Sequence, residues 1–221
     1  IIMVLVQVSG QVATGKTTGA RTLDPKKTYY IAADGKGLSW KGWKADYNAT
    51  NKNYAETADP ATIYKLVKAV SETRPDVNCI VIDTINAMMT TEEMAILESP
   101  SRDKWADLAT DVWNLYKLIR EIKREDMVVF VMAHVEPYEV NGITHWRTMT
   151  NGKKLTKVNL NAFLSYNLYS KVNKASDGKM EYSLITQSDG TTEARSLMGV
   201  FEEKIPNDLE VVIKTVLEAE R

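Results

Sequence analysis

The chain has 221 residues, with 28 lysines and arginines against 29 aspartates and glutamates, so its formal net charge is −1. That balance excludes a polycation that binds nucleic acid by overall charge, and any such contact must come from a local basic surface. The single cysteine, Cys79, excludes an intrachain disulfide and a cysteine zinc cluster. Because no apolar stretch has the length of a membrane span, we expect a cytoplasmic protein without a membrane contact.

The first predicted element is a buried strand over the apolar run Ile1–Val8. No basic region precedes this run and it leads straight into a glycine-rich turn, so we interpret it as a core strand and not as a signal peptide. The turn reads G-x-x-x-x-G-K-T from Gly10 to Thr17, the pattern of a phosphate-binding loop. Its glycines let backbone N–H groups converge on phosphate oxygens, and a following helix adds the positive end of its dipole.

This pattern predicts a site for ATP and Mg²⁺. Lys16 is expected to reach the β- and γ-phosphates, and the Thr17 hydroxyl is expected to bind Mg²⁺. The alternative is a chance glycine-rich turn, which the strand before it and the helical turn predicted at residues 18–21 argue against. The predicted nucleotide contacts are Gly10, Gln11, Val12, Ala13, Thr14, Gly15, Lys16, Thr17 and Thr18.

Asp34 follows the second predicted strand, Thr28–Ala33. In a P-loop ATPase, a carboxylate at this place can polarise the attacking water, so Asp34 is a candidate catalytic base. Asp34 also precedes Gly35, and a turn-forming aspartate is an equally open alternative.

Lysines and tryptophans alternate just after this strand. Lysines neutralise phosphates and aromatic rings stack on bases, so the pattern predicts a surface for single-stranded DNA, with Lys41 as a candidate contact. The alternative is a solvated charged face with ordinary tryptophan packing. The residues of this first basic cluster are Lys36, Trp40, Lys41, Trp43 and Lys44.

The third predicted strand, Cys79–Ile82, is followed by Asp83. Four apolar residues and then an acid form the Walker B pattern, in which the carboxylate holds Mg²⁺ beside the phosphate-binding loop. Two helices flank this strand in the sequence. One is predicted to begin at Pro60, with Asp59 as its N-cap. The other is predicted over residues 105–122, where apolar residues recur at spacings of three and four.

His134 is expected to end the fourth predicted strand, Met127–Met132. A polar residue there can touch the γ-phosphate and relay its loss to the segment that follows. The alternative is a structural histidine at the end of a strand.

After residue 135 the pattern changes to a hairpin, Tyr138–Thr144, that turns at Asn141-Gly142. Two more strands, 166–172 and 180–186, are expected to extend the sheet antiparallel, and a helix over 207–219 closes the chain. We therefore predict one α/β domain over residues 1–221, with a mainly parallel, doubly wound sheet and antiparallel C-terminal strands.

A second basic cluster lies in and after the hairpin. Its candidate DNA contacts are Trp146 and Arg147, and Lys153, Lys154 and Arg195 are candidate finger residues that would act on the nucleotide of a neighbouring subunit. The cluster consists of His145, Trp146, Arg147, Lys153, Lys154 and Lys157.

Together these motifs resemble the RecA-like P-loop ATPases, and more closely the phage-encoded nucleotide-binding proteins of the Sak-type single-strand annealing recombinase group. The resemblance implies a RecA-like fold and an ATPase that forms a homo-oligomer, a ring or a filament, on single-stranded DNA in the host cytoplasm. A single-strand-binding protein is an expected partner. The segments that carry the resemblance are Gly10–Thr18, Tyr30–Leu38, Ile80–Asp83, Val129–His134 and Thr150–Leu155.

The resemblance also implies roles for particular positions. Asp34 stands where the relatives carry a catalytic glutamate, and because aspartate is one methylene shorter, slow hydrolysis is expected. His134 stands at the position of the switch residue, which is commonly glutamine. Residues 135–152, which we expect to be mildly basic, correspond to the DNA-contacting loop.

Two other functions stay open at this point. The protein could be a motor or loader ATPase that acts on a protein partner in replication or packaging, or a nucleotide switch or assembly scaffold with little turnover. A small-molecule kinase is disfavoured, because the sequence has no obvious lid with clustered arginines.

Overall fold

The computed structural model describes residues 2–98, 104–151 and 160–221. Within them, helices cover both faces of a nine-stranded sheet. The strands are β1 (Val4–Gly10), β2 (Thr28–Ala32), β3 (Tyr54–Glu56), β4 (Cys79–Asp83), β5 (Val128–Val140), β6 (Ile143–Thr148), β7 (Tyr166–Lys174), β8 (Met180–Ile185) and β9 (Lys204–Pro206). The helices are α1 (Lys16–Gly19), α2 (Trp43–Asp46), α3 (Pro60–Thr73), α4 (Ile85–Glu98), α5 (Lys104–Glu121) and α6 (Leu209–Ala219).

The strands lie in the order β3-β2-β4-β5-β1-β7-β8-β9. Neighbours from β3 to β7 are parallel, whereas β8 and β9 are added antiparallel. β6 pairs antiparallel with the outer half of β5, beyond this path. The predicted fold class, a mainly parallel α/β sheet with antiparallel C-terminal strands, is therefore confirmed.

The hydrophobic core is divided by the sheet into two layers. One layer joins the sheet to α3, α4 and α5, with Ile63, Met88 and Leu115 completely buried. The other joins it to α6, where Val212 and Val216 are buried. β1 and β4 are covered on both faces, which explains their continuous apolar sequence. The carboxyl ends of the parallel strands consequently meet at one edge of the sheet, where α/β proteins bind ligands.

The predicted helices are present, and two helices, the short α2 and α4, were not expected. The Asp59 side chain caps α3 by accepting a hydrogen bond from the Thr62 N–H at 2.8 Å, and α5 matches the second predicted helix. The sequence does not predict α4, because its apolar residues do not form one stripe. Met89 is buried, whereas Met94 and Leu97 are 49% and 57% exposed.

The strand predicted over residues 166–172 has the opposite direction from the expected one. β7 is parallel to β1, and only β8 and β9 run antiparallel. Parallel neighbours need a crossover of about a dozen residues or more, so β7 does not follow its parallel neighbour through a short turn as β8 follows β7. Among the helices that the structure describes, none combines the length and the apolarity that crossing a bilayer requires.

Candidate nucleotide site

Residues Gly10–Thr17 connect the end of β1 to α1 and are called the phosphate loop below. Gly15, with φ 92°, and Ala13, with φ 64°, occupy the left-handed region that turns the loop over the end of β1. Close packing requires glycine at Gly10, because a Cβ atom there would lie 2.2 Å from Ser170 Oγ. The strand, loop and helical turn predicted from the motif are all present.

The Lys16 side chain folds into the phosphate loop. Its ammonium group donates hydrogen bonds to the carbonyl oxygens of Gly10 at 2.8 Å and Gln11 at 2.6 Å. Burial lowers the pKa of Lys16 to about 8, against the attraction of Asp83, which raises it. A phosphate in the loop would supply the negative charge that this buried ammonium group lacks.

Asp83 ends β4, and its carboxylate faces the phosphate loop. Asp83 Oδ2 accepts hydrogen bonds from Thr17 Oγ1 at 2.7 Å and from the Tyr30 hydroxyl at 2.6 Å. Asp83 Oδ1 is buried and has no hydrogen-bond partner within the described ranges. Burial raises the pKa of Asp83, and the hydrogen bonds from Thr17 and Tyr30 oppose that rise.

The oxygen atoms at this place suit Mg²⁺, which binds carboxylate and hydroxyl oxygens and keeps positions for water and phosphate. Thr17 and Asp83 are already in contact, and Asp83 Oδ1 offers an unused acceptor. The described residues contain no group of three or more His, Cys, Asp or Glu that could hold a metal by itself. The donor set therefore fits an ion that shares its ligands with a nucleotide.

Asp34 follows β2 and faces the same space. Its carboxylate pairs with the Lys36 ammonium at 3.0 Å and accepts a hydrogen bond from the Lys36 backbone N–H at 3.1 Å. Because Lys36 is 74% exposed, this ion pair stabilises the protein by only about 0–1 kcal/mol. The two interpretations of Asp34 are thus compatible, since the residue shapes a turn and also faces the phosphate loop.

The sequence led us to expect that β5 ends at His134, but the strand continues beyond it. Its pairing with β1 ends there, with His134 opposite Gly10, and β5 then takes β6 as its partner and continues to Val140. Burial, together with the charges of Lys16 and Lys36, lowers the pKa of His134 to about 4, so the imidazole is neutral at pH 7. Its Nδ1 atom is buried and makes no hydrogen bond to any described residue.

Asn86, in the first turn of α4, holds both strands at the start of the hairpin. Its Oδ1 accepts a hydrogen bond from the His134 N–H at 2.7 Å, and its Nδ2 donates to the Met149 carbonyl at 2.9 Å. The Met149 N–H donates in turn to the His134 carbonyl at 2.8 Å. Because α4 begins two residues after Asp83, Asn86 connects the nucleotide side of the sheet to the hairpin. No motif in the sequence marks this residue.

A cavity of about 160 Å³ brings the predicted site residues together. All four predicted catalytic residues, Lys16, Asp34, Asp83 and His134, line it. The phosphate-loop contacts Gln11 and Thr14 instead line a cleft of about 580 Å³ on the other flank of the loop. The remaining predicted nucleotide contacts on the cavity wall are Val12, Ala13, Gly15, Thr17 and Thr18.

Two residues that the sequence did not identify, Asn207 and Ser170, support the phosphate loop. Asn207 Nδ2 donates to the Gly15 carbonyl at 2.7 Å, and the Thr14 and Ser170 hydroxyl oxygens lie 2.6 Å apart. Both supports come from positions more than 150 residues after the loop. The motif therefore gives no signal that would identify them.

The hairpin, residues 135–148, carries Tyr138, His145 and Arg147 on one face. The Arg147 guanidinium lies 5.3 Å from the centre of the Tyr138 ring, and the His145 ring lies 5.4 Å from the same ring. Arg147 also pairs with Glu136 at 2.9 Å. Residues 135–152 contain two glutamates and one arginine, so with neutral histidine this segment has a charge of −1. The expected mildly basic character is therefore wrong.

The other candidate DNA contacts lie apart from this face. Lys41 is exposed, but Trp40 packs edge-on against Tyr47 at 6.0 Å between ring centres. Trp43, likewise, contacts Tyr54 at 5.2 Å, so both tryptophans of the first basic cluster serve ordinary packing, which was the alternative. Trp146 is partly buried and lines the larger cleft.

The candidate finger residues are only partly described. Arg195 is exposed, beside β7, and its guanidinium donates to the Asn161 carbonyl at 3.4 Å. Lys153 and Lys154 lie outside the described residues.

A family model described as an AAA domain matches residues 4–196. A solved structure, that of a KaiC-like protein from the hyperthermophilic archaeon Pyrococcus horikoshii OT3, is 12% identical over 92% of this chain and 84% of that chain, with a TM-score of 0.49. No curated protein matches the chain. Since the family model spans the phosphate loop, Asp83 and the hairpin, the chain belongs to the AAA domain family of nucleotide-binding P-loop ATPases.

Proposed function

We propose that the protein binds ATP with Mg²⁺ at the phosphate loop, hydrolyses it, and acts on single-stranded DNA through the hairpin in phage-type recombination or annealing. The observation that carries the nucleotide part is the 2.7 Å contact between Thr17 and Asp83 beside the buried ammonium group of Lys16. This contact joins the end of β4 to the phosphate loop, where a metal and phosphates need ligands together.

The residues of the cavity divide the chemistry among them. Lys16 would exchange its bonds to loop carbonyls for bonds to phosphate oxygens, and Thr17 and Asp83 would hold Mg²⁺. The ion, when bound, neutralises charge on the phosphates. Asp34 would orient the attacking water, and its weak pair with Lys36 leaves its carboxylate free to do so. Because the Asp34 side chain is one methylene shorter than glutamate, it reaches the water less well, and we expect slow turnover.

The link to the hairpin runs through His134 and Asn86. A neutral imidazole can donate or accept one hydrogen bond at each nitrogen, and the unpartnered Nδ1 of His134 leaves such a bond available near the phosphates. Movement of His134 would be passed to Met149 through Asn86. This arrangement supports a hairpin whose position follows the state of the nucleotide.

The DNA part of the proposal rests on the exposed face of the hairpin. Tyr138 and His145 offer rings on which bases can stack, and Arg147 offers a cation for phosphate. Binding along a strand would favour a homo-oligomer, in which Arg195 acts on a neighbour's nucleotide as a finger residue. A single-strand-binding protein is a partner consistent with this role.

A second candidate function is a motor or loader ATPase that acts on a protein. The observation in its favour is the tip of the hairpin, where Val140 and Ile143 are 43% and 54% exposed. Together with the charge of −1, these apolar groups suit a protein surface better than a phosphate backbone.

The experiment is ATP hydrolysis with and without single-stranded DNA, in Mg²⁺ and in EDTA, with a Lys16→Ala control. Turnover that requires Mg²⁺ and rises on adding DNA is the expected result. Unstimulated turnover would favour the protein-directed motor. Tight nucleotide binding without turnover would favour a switch or scaffold, and no nucleotide binding would contradict the whole proposal.

A further inference from the structure

Tyr30 contacts the Asp83 carboxylate from the neighbouring strand. Its backbone pairs with Val81 across β2 and β4, so its side chain reaches Asp83, two residues further along the same face. The hydroxyl donates to Asp83 Oδ2 at 2.6 Å, and the side chain is completely buried. The ring is fixed by Tyr47, edge-on at 5.7 Å, and by Tyr54, stacked at 6.4 Å.

The hydroxyl does something that packing does not require. A phenylalanine would fill the same space among the aromatic rings, whereas a buried hydroxyl needs a partner. Here the partner is Asp83 Oδ2, which also accepts from Thr17. Both donors act on one oxygen of Asp83, which lines the nucleotide cavity, and its other oxygen, Oδ1, has no partner among the described residues.

Thr17 and Tyr30 differ in what else they can do. The Thr17 hydroxyl belongs to the phosphate loop and is itself a proposed ligand of Mg²⁺, so it is drawn toward the ion when the site fills. The Tyr30 hydroxyl has Asp83 as its hydrogen-bond acceptor. It is therefore the contact that can keep the carboxylate in place both before and after the nucleotide binds.

We propose that Tyr30 is a positioning residue that orients Asp83 toward the metal and thereby sets the metal-dependent part of the nucleotide affinity. This inference rests on the proposed binding of Mg²⁺ and ATP at the phosphate loop. Its chemical content is one charge-assisted hydrogen bond, and such bonds are stronger than those between neutral groups.

The test compares Tyr30→Phe with Tyr47→Phe in the full chain. Tyr47 is a matched control, because it is just as buried, packs on the Tyr30 ring and loses the same hydroxyl. Affinity for a non-hydrolysable ATP analogue is measured by calorimetry in excess Mg²⁺ and in EDTA. The binding of Mn²⁺ in place of Mg²⁺ is followed by electron paramagnetic resonance in the presence of the same analogue.

We expect Tyr30→Phe to lower the ratio of the affinity in Mg²⁺ to that in EDTA about tenfold, a change of about 1.4 kcal/mol. Mn²⁺ affinity should fall in parallel, while affinity in EDTA and both values for Tyr47→Phe stay at wild-type levels. An unchanged ratio, or equal losses in both media, would overturn the role of Tyr30. If the wild-type protein bound the ATP analogue equally well in Mg²⁺ and in EDTA, the proposed metal site would be contradicted, and the inference with it.

Discussion

The nucleotide cavity and the hairpin lie at the same edge of the sheet but are built in opposite ways. In the cavity, Lys16 and Asp83 are buried, and the hydrogen bonds that Asp83 accepts join segments that are distant in the chain. In the hairpin, Arg147 and Glu136 pair across neighbouring strands, and the apolar tip is open to solvent. A buried polar group costs free energy when it loses its partner, whereas an exposed one loses little. Substitutions should therefore have large, specific effects in the cavity and small, graded effects on the hairpin.

The largest effect is expected for Lys16→Ala, which removes the cation of the phosphate loop. Because preorganised charge provides most of the catalysis in phosphoryl transfer, kcat/KM for ATP should fall at least about a hundredfold. Steady-state phosphate release measures it. Lys68→Ala, on the exposed side of α3, is the control that removes an equal charge elsewhere, and a Lys16→Ala turnover equal to that of this control would contradict the site.

The next effect tests the junction between the two regions. Asn86→Ala removes the partner of the His134 N–H and one acceptor bond of the Met149 carbonyl, so the free energy of unfolding should fall by about 1–3 kcal/mol. Denaturant unfolding gives the value, and amide exchange at His134, whose N–H loses its acceptor, should become faster.

Two substitutions make this comparison quantitative. Asn114→Ala lies on the exposed face of α5, and Ile143→Ser lies at the hairpin tip. Each should change the free energy of unfolding by no more than about 0.5 kcal/mol. If Asn86→Ala changed stability as little as these two, the hydrogen bonds of Asn86 to His134 and Met149 would not stabilise the start of the hairpin.

The sequence predicts the cavity better than the hairpin, because the main residues of the cavity belong to short contiguous motifs. The phosphate loop is a contiguous motif whose glycines and lysine have fixed roles, and the acid at the end of β4 is recognisable from the apolar run before it. The supports Tyr30 and Asn207 carry no such pattern, because they reach the site only through the fold. The length of β5 was underestimated for the same reason, since its outer half depends on pairing with β6.

Direction and charge were harder to read than position. β7 contains the expected residues, but which neighbour it joins depends on the path of a crossover and not on its own composition. The tryptophans near Lys41 alternate with lysines as stacking residues would, yet tertiary packing places them against Tyr47 and Tyr54. Patterns of residue type therefore predicted where groups lie in the chain, but not which of them face solvent.

A third prediction uses the buried ammonium group of Lys16, whose pKa is about 8 in the free protein. Phosphates favour its charged form and raise that pKa, so below pH 8 the group is already protonated when ATP binds. Above pH 8 binding must take up a proton, and affinity should fall by up to about tenfold per pH unit. Calorimetry at pH 9 in two buffers of different ionisation enthalpy measures the uptake, which should approach one proton. Lys16→Met should bind ATP weakly and without uptake, and a variant that retained the full uptake would assign the proton to another group.

The smallest effects are expected on the hairpin, and there the sign of the change carries the information. Glu136→Gln removes a negative charge and frees Arg147 from its pair, while Arg147→Gln removes the cation. If the hairpin binds single-stranded DNA, the first variant should bind about fivefold more tightly at low salt, since a unit charge at 4 Å in water contributes about 1 kcal/mol. The second should bind more weakly, with a salt dependence reduced by about one ion. Fluorescence anisotropy of a labelled oligonucleotide over a salt series gives both values.

Opposite shifts in these two variants require that the hairpin meets phosphates, because loss of the ion pair alone would move both in the same direction. Two variants that bind DNA as the wild type does would separate the hairpin from nucleic acid and leave its apolar tip, Val140 and Ile143, as its contact surface. The proposed target would then be a protein. Since Glu136 and Arg147 lie outside the nucleotide cavity, ATP affinity in the absence of DNA should be unchanged in both variants, which keeps the two regions separable in one experiment.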